Sequence, residues 1–134
     1  MSQPNPDSAP TDKPRKLLRI VHLDDMRELC EIVRVSLERD GHRVESFNDG
    51  LAALKRIQAS PQTVDLFITD HHMPHLNGLE VVRHLRRIAF PGRIFIFSSE
   101  IDEGVNREYR SLHADRVMPK PIQLPELRLL LAEF

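Results

Sequence analysis

Several short apolar runs in this sequence end in polar residues whose types could carry out chemistry together. These residues are Asp24 and Asp25, Asp70, Ser98 and Lys120. Three carboxylates brought together repel one another, and a divalent cation removes that repulsion. Because the set contains oxygen ligands and no thiolate, it favours Mg²⁺ or a similar hard cation over zinc.

A carboxylate held beside such a cation can attack a phosphoryl group as a nucleophile. The acyl phosphate that results needs cations and hydrogen-bond donors around its phosphoryl oxygens. Lys120 offers an ammonium group and Ser98 offers a hydroxyl. The residue types therefore predict phosphoryl chemistry on an aspartate.

Taken singly, each of these residues has an ordinary structural explanation. The Asp24–Asp25 pair or Asp70 could cap a following helix, Ser98 could be a loop hydroxyl, and Lys120 could be a solvated charge. The prediction depends on their joint placement after different strands of one sheet.

The elements that must position these residues alternate regularly along the chain. Apolar runs predict strands over residues 17–23, 43–47, 64–69, 93–97 and 116–118. Amphipathic segments predict helices over residues 26–39, 49–58, 78–88, 102–113 and 125–134, with Asp49 as a cap and Asn77-Gly78 opening the third. The apolar faces of the second and the last helix include Leu51 and Leu129, and His42 is predicted to be a surface residue. Such alternation is typical of an α/β fold, a five-stranded parallel sheet that is doubly wound. Ligands bind such sheets beyond the carboxyl ends of the strands.

Composition excludes several classes of protein. The chain has 134 residues, enough for one domain, and its net charge of −1 argues against direct binding of nucleic acid. A single cysteine rules out an intramolecular disulfide and suits the cytoplasm. We find no membrane-spanning run and no secretory signal pattern. The proline-rich residues 1–15 predict a disordered tail, and residues 16–134 predict the domain.

Together these motifs resemble the receiver domains of two-component response regulators, over residues 16–134. The matching features are Asp24-Asp25 after a strand, Asp70-His71-His72-Met73-Pro74, Asn77-Gly78, Ser98-Ser99 and Lys120-Pro121. The resemblance implies the (βα)5 flavodoxin-like receiver fold. It also implies that a sensor histidine kinase or a phosphotransfer protein donates a phosphoryl group to the domain.

Carried over by position, the resemblance makes Asp70 the phosphoacceptor. Asp24, Asp25, Asp70 and the backbone carbonyl of His72 would bind Mg²⁺. Ser98, Ser99 and Lys120 would surround the phosphoryl group. Gly78 would have a structural role, and the peptide bond before Pro121 would be cis.

Two positions depart from the family pattern. Val117 stands where receivers often carry the aromatic side chain that couples the site to the output face, and the only aromatic residue near it in the sequence is Tyr109. Ser99 stands where a smaller residue is common, which would narrow the access to Asp70.

These features leave several partners and functions open. The resemblance implies that a downstream protein, not identified by the sequence, binds the face formed by the fourth and fifth helices and the fifth strand. A second copy of the chain is a further candidate. No effector segment follows the last helix, so we expect the protein to act alone or as part of a longer regulator.

The alternative is a pseudo-receiver, regulated without phosphate. A phosphohydrolase is disfavoured because His72 stands where its second aspartate belongs. We do not expect an enzyme, because the domain would modify itself and turn over no outside metabolite. A zinc site at His71, His72 and His75 is disfavoured, because His71 and His75, the one pair with the i, i+4 spacing of a zinc-binding helix, span a proline-containing loop.

Overall fold

The computed structural model describes residues 16–99 and 102–134. The predicted tail, residues 1–15, lies outside the described residues. The elements are β1 (Arg19–Leu23), α1 (Arg27–Arg39), β2 (Arg43–Phe47), α2 (Gly50–Ala59), β3 (Leu66–Asp70), α3 (Gly78–Arg87), β4 (Arg93–Ser98), α4 (Glu103–Ser111), β5 (Arg116–Pro119) and α5 (Leu124–Ala132), with a short 3₁₀ turn at Pro61–Thr63.

The five strands form one parallel sheet in the order β2-β1-β3-β4-β5. The chain steps outward from β1 to β2, and then returns to the other side of β1 with β3. This reversal between β1 and β3 is where a doubly wound sheet opens a crevice at its carboxyl edge. The predicted fold class is therefore confirmed, and every predicted strand and helix is present.

Both faces of the sheet are covered, which explains the nearly continuous apolar runs of the central strands. Alternate residues point to opposite faces, so Val21 and Leu23 join one core while Ile20 joins the other. The first core packs α2, α3 and α4 against the sheet, and the second packs α1 and α5. All five residues of β3 are buried.

The ends of two helices are set by side chains that the sequence identified. The Asp49 carboxylate accepts a hydrogen bond from Ala52 N at 3.1 Å and begins α2. Asn77 and Glu80 form a reciprocal capping box at the start of α3, where each side chain accepts from the other's backbone amide. The start of α3 thereby fixes the loop that follows Asp70.

The structure corrects the predicted environment of three residues, two on helices and one in the turn before β2. Leu51 and Leu129 are half or more exposed, although the pattern suggests apolar faces that include them. On α5 the buried pair is Leu127 and Leu131, four residues apart, so Leu129 must lie on the opposite side of the helix. His42, which looks like a surface residue in the sequence, is buried and its Nδ1 accepts a hydrogen bond from Leu18 N at 3.0 Å.

Across residues 16–99 and 102–134, no helix combines the length and the apolar character that crossing a membrane requires.

We predict that Asn77→Ala lowers the free energy of unfolding by about 1 kcal/mol, because the amide of Glu80 loses its acceptor. Urea denaturation of the variant and the wild type measures the difference. Gln58→Ala, at an exposed position of α2, is the matched control and should change the midpoint little. Equal stability of Asn77→Ala and the wild type would contradict a stabilising capping box.

Candidate functional site

The carboxyl ends of four strands bring the predicted polar residues to one edge of the sheet. Asp70 and Ser98 are the last residues of β3 and β4, Asp24 directly follows β1, and Lys120 directly follows β5. In the strand register Asp70 pairs with Phe97 and Ser98 pairs with Pro119, so the two residues lie one step apart along neighbouring strands. Parallel pairing alone is enough to gather residues that are far apart in the sequence.

The three carboxylates lie close together at this edge. One oxygen from each of Asp24, Asp25 and Asp70 falls within 4.8 Å of the others. Asp24 and Asp70 are buried, whereas Asp25 is exposed, so the cluster has a buried floor and one side that opens to solvent. Such a group of oxygen ligands can hold a hard divalent cation.

Lys120 provides the positive charge among these groups. Its Nζ donates hydrogen bonds to Asp24 Oδ2 and to Asp70 Oδ2, each at 2.9 Å. Partial burial by itself lowers the pKa of Lys120, but the hydrogen bonds to Asp70 and Asp24 outweigh it and the pKa is raised above its ordinary value. The lysine therefore stays charged and compensates two buried carboxylates.

Asp24 is held in place by groups from its own loop, from α1 and from the residue that follows β2. Its Oδ1 accepts from Met26 N at 2.9 Å, and its carbonyl oxygen accepts from Asn48 Nδ2 at 2.8 Å and from Cys30 Sγ at 3.4 Å. Sequence reasoning missed Asn48. Its position directly after β2, at the same edge of the sheet, is the signal that could have identified it.

The remaining predicted residues surround Asp70. His72 N donates to Asp70 Oδ1 at 3.1 Å, and His72 with Asp25 and Asn77 lines an open cleft of about 360 Å³. Ser98 is buried beside Asp70, whereas Ser99 is exposed. The structure therefore places Ser98, but not Ser99, within the buried part of the site.

Two residues of the motif set have a structural role. The peptide bond between Lys120 and Pro121 is cis, as expected. Gly78 is buried against the site, since a Cβ there would lie 2.8 Å from both the Asp70 carbonyl oxygen and Tyr109 Oη. Any larger residue at Gly78 would push the loop after β3 away from its present position.

A buried histidine under the site does not interact through one of its ring nitrogens. His22, on β1, is almost fully buried, and its Nδ1 has no hydrogen-bond partner among the described residues. Burial lowers the pKa of His22 to about 4, so the ring is neutral at physiological pH. It therefore adds no charge to the cluster.

We predict that the Cys30 thiol reacts slowly with a thiol reagent in the folded protein at pH 8. Burial and the nearby charge of Asp24 raise its pKa to about 11, so little thiolate is present. Labelling followed by absorbance measures the rate, and the chain has no other cysteine to confuse it. Labelling in guanidinium should be fast, and an equally fast rate in the native protein would contradict the buried position.

The sequence of the chain is similar to those of known signalling proteins. It is 36% identical over 112 residues to the response regulator MprA of Mycobacterium leprae, a match that covers 82% of this chain and 47% of that protein. It is 32% identical over 120 residues to the sensor histidine kinase AruS of Pseudomonas aeruginosa, covering 87% of this chain and 12% of that protein. The chain thus spans about half the length of the response regulators that it matches, and a small part of the kinase.

Solved structures share the fold. The chemotaxis protein CheY4 of Vibrio cholerae superposes with a TM-score of 0.79 at 24% identity, covering 88% of this chain and 98% of that one. A CheY-like receiver domain protein from Methanospirillum hungatei superposes with a TM-score of 0.81 at 19% identity, covering 88% and 93%. The family model of the response regulator receiver domain matches residues 20–132. With its parallel sheet and its acidic site, the chain belongs to the response regulator receiver domain family.

Proposed function

We propose that the domain accepts a phosphoryl group on Asp70 from the phosphohistidine of a sensor histidine kinase or a phosphotransfer protein. The observation that carries the proposal is the placement of Asp70. It is a buried carboxylate at the end of the central strand β3, with an ammonium group 2.9 Å away and two further carboxylates beside it. Residues gathered in this way suit phosphoryl transfer better than a purely structural cap.

The acidic cluster suits a resident Mg²⁺ ion. All of its side-chain donors are oxygens, and the exposed Asp25 leaves a side on which the ion can keep water ligands. Asp24, Asp25, Asp70 and the His72 carbonyl would hold the ion. When bound, it supplies positive charge that offsets the charge developing on the phosphoryl oxygens.

The residues of the chain have distinct tasks in the transfer. An oxygen of Asp70 attacks the phosphorus, forming an O–P bond as the N–P bond of the donor breaks and the imidazole leaves. Lys120, which lies 2.9 Å from Asp70, would keep its charge near the incoming oxygens. The Ser98 hydroxyl and the His72 amide, which already donates to Asp70, would donate to the same oxygens. Hydrolysis of the acyl phosphate then restores the carboxylate.

The output of this switch is a change of binding surface. We assign the partner-binding face to α4, β5 and α5, whose exposed charges include Arg107, Arg110 and Arg116. The partner in this proposal is a downstream protein or a second copy of the chain, and the proposed site of action is the cytoplasm. The phosphorylated domain acts as a signal and turns over no metabolite.

We predict that purified protein incubated with acetyl phosphate gains one phosphoryl group, as measured by intact mass. The gain should require Mg²⁺ and disappear with EDTA, since the carboxylates then lack their cation. Asp70→Asn removes the attacking oxygen at nearly constant volume and should abolish the gain. If Asp70→Asn is still modified, the phosphoacceptor is a different residue. If the wild type neither binds Mg²⁺ nor gains mass, the pseudo-receiver alternative replaces the proposal.

We predict that Lys120→Ala slows phosphorylation roughly 100-fold, because removing one group that stabilises the transferring phosphoryl oxygens has an effect of that order. The rate is measured by intact mass at saturating Mg²⁺. Lys55→Ala removes an exposed lysine from α2 and is the matched control, which should keep the wild-type rate. A wild-type rate in Lys120→Ala would remove this residue from the mechanism.

A further inference from the structure

Helix α4 buries one side chain completely in the core of the domain. Tyr109 is its single fully buried residue among those that the structure describes, with no exposed surface, and it joins the core that packs α2 and α3 against the sheet. Val105 and Leu112 are only partly buried against the same core. The position of Tyr109 therefore decides where most of α4 lies.

The hydroxyl of this side chain reaches the residue that follows Asp70. Tyr109 Oη and His71 Nδ1 are hydrogen-bonded at 2.6 Å, and the two rings pack edge to face at 5.5 Å between centroids. Tyr109 is fully buried, so its hydroxyl cannot easily exchange this hydrogen bond for one to water.

The backbone around His71 leaves no spare room. His71 N donates to Phe97 O at 2.8 Å, and the His71 carbonyl accepts from Gly78 N at 3.0 Å. A Cβ at Gly78 would come within 2.8 Å of both the Asp70 carbonyl and Tyr109 Oη. Asp70, His71 and Tyr109 therefore meet in a packed cluster, in which a shift of one residue is passed to the next.

We infer that the His71–Tyr109 hydrogen bond transmits the phosphorylation state of Asp70 to helix α4. The inference rests on the proposed function. Phosphorylation changes the hydrogen bond that Asp70 Oδ1 accepts from His72 N, and so moves the peptide between His71 and His72. The His71 ring moves with its backbone, and Tyr109 must either follow it or leave a buried hydroxyl without a partner, which is unfavourable.

The other attachments of α4 decide how it moves. Arg86 holds the end of the helix and the following turn, donating to Leu112 O at 2.6 Å and to His113 O at 2.9 Å. The ion pairs of α4 are exposed to solvent. One joins Arg83 of α3 to Glu108, and the other joins Glu103 to Arg110 within α4. Exposed pairs of this kind contribute little to holding a helix in place. A displacement of Tyr109 therefore tilts the start of α4 about its fixed end and moves the charges on its outer face.

The test is hydrogen exchange of the α4 amides, measured with and without beryllofluoride and Mg²⁺ as the phosphoryl mimic. In the wild type we expect the mimic to change the exchange rates over residues 103–111 severalfold. Tyr109→Phe keeps the buried ring and removes only the hydroxyl, so the variant should fold and should still be phosphorylated by acetyl phosphate. Its exchange rates should hardly respond to the mimic.

Two further variants separate the hydrogen bond from general effects on the helix. Ser111→Ala removes an exposed hydroxyl from the same helix and should keep the full response. The double variant His71→Leu with Tyr109→Phe is compared with the two single variants. If the two rings act only through their mutual hydrogen bond, the second substitution should not reduce the mimic-induced change in α4 exchange rates any further.

The outcomes distinguish this inference from the function on which it rests. A full α4 response in Tyr109→Phe overturns the coupling and leaves the proposed function intact. If wild-type protein is phosphorylated but its α4 exchange rates do not change, the coupling is likewise overturned and the proposed function remains. A wild-type protein that binds no mimic and gains no phosphoryl group refutes the proposed function, and the coupling with it.

Discussion

The charge balance at the carboxyl edge of the sheet is the constraint on which the rest of this structure depends. Two buried carboxylates share one ammonium group, with Lys120 Nζ at 2.9 Å from both Asp24 and Asp70. Removing charged groups from water costs several kcal/mol per ion unless partners are held in good geometry. The parallel sheet meets this requirement, because it fixes the ends of β1, β3 and β5 at one edge while the helices exclude water from its faces. Asp25, exposed on the open side, leaves the negative charge in excess and so suits the site to a cation.

The same edge also links the site to the surface. His71 directly follows Asp70, the proposed phosphoacceptor. Its ring is hydrogen-bonded to Tyr109, the fully buried residue of α4. Val117, at the position where the family often has an aromatic switch, is a partly buried aliphatic residue. An aromatic residue is thus present between the site and the fourth helix, but it comes from α4 itself. The Tyr109 hydroxyl makes the contact between α4 and the site specific. A buried hydroxyl needs a hydrogen-bond partner, and His71, next to Asp70, is that partner.

Much of this arrangement could be predicted from the sequence, and the failures have identifiable causes. The strands and helices were predicted because apolar periodicity reports local geometry, and the site residues were predicted because strand ends in a parallel sheet must meet. The pattern puts Leu51 and Leu129 on apolar faces because hydrophobicity alone does not say which side of a leucine-rich helix faces the sheet. It predicts an exposed His42 because the partner of this residue, the Leu18 amide, is distant in the sequence. The role of Ser99 stays a prediction: the residue is exposed, whereas Ser98 is buried.

The sequence by itself determined the fold class, the alternation of strands and helices, and the set of Asp24, Asp25, Asp70, Ser98 and Lys120 at one edge. These follow from residue type and spacing, which act locally or through the simple topology of a parallel sheet. Only the tertiary structure decided that Lys120 bridges two particular carboxylates, that Asn48 holds the loop of Asp24, and that Tyr109 bonds to His71. Each of these is a hydrogen bond between residues that are far apart in the sequence. Such a bond forms only when packing sets the distance between the two polar atoms to within about a few tenths of an ångström. No local sequence pattern records that distance.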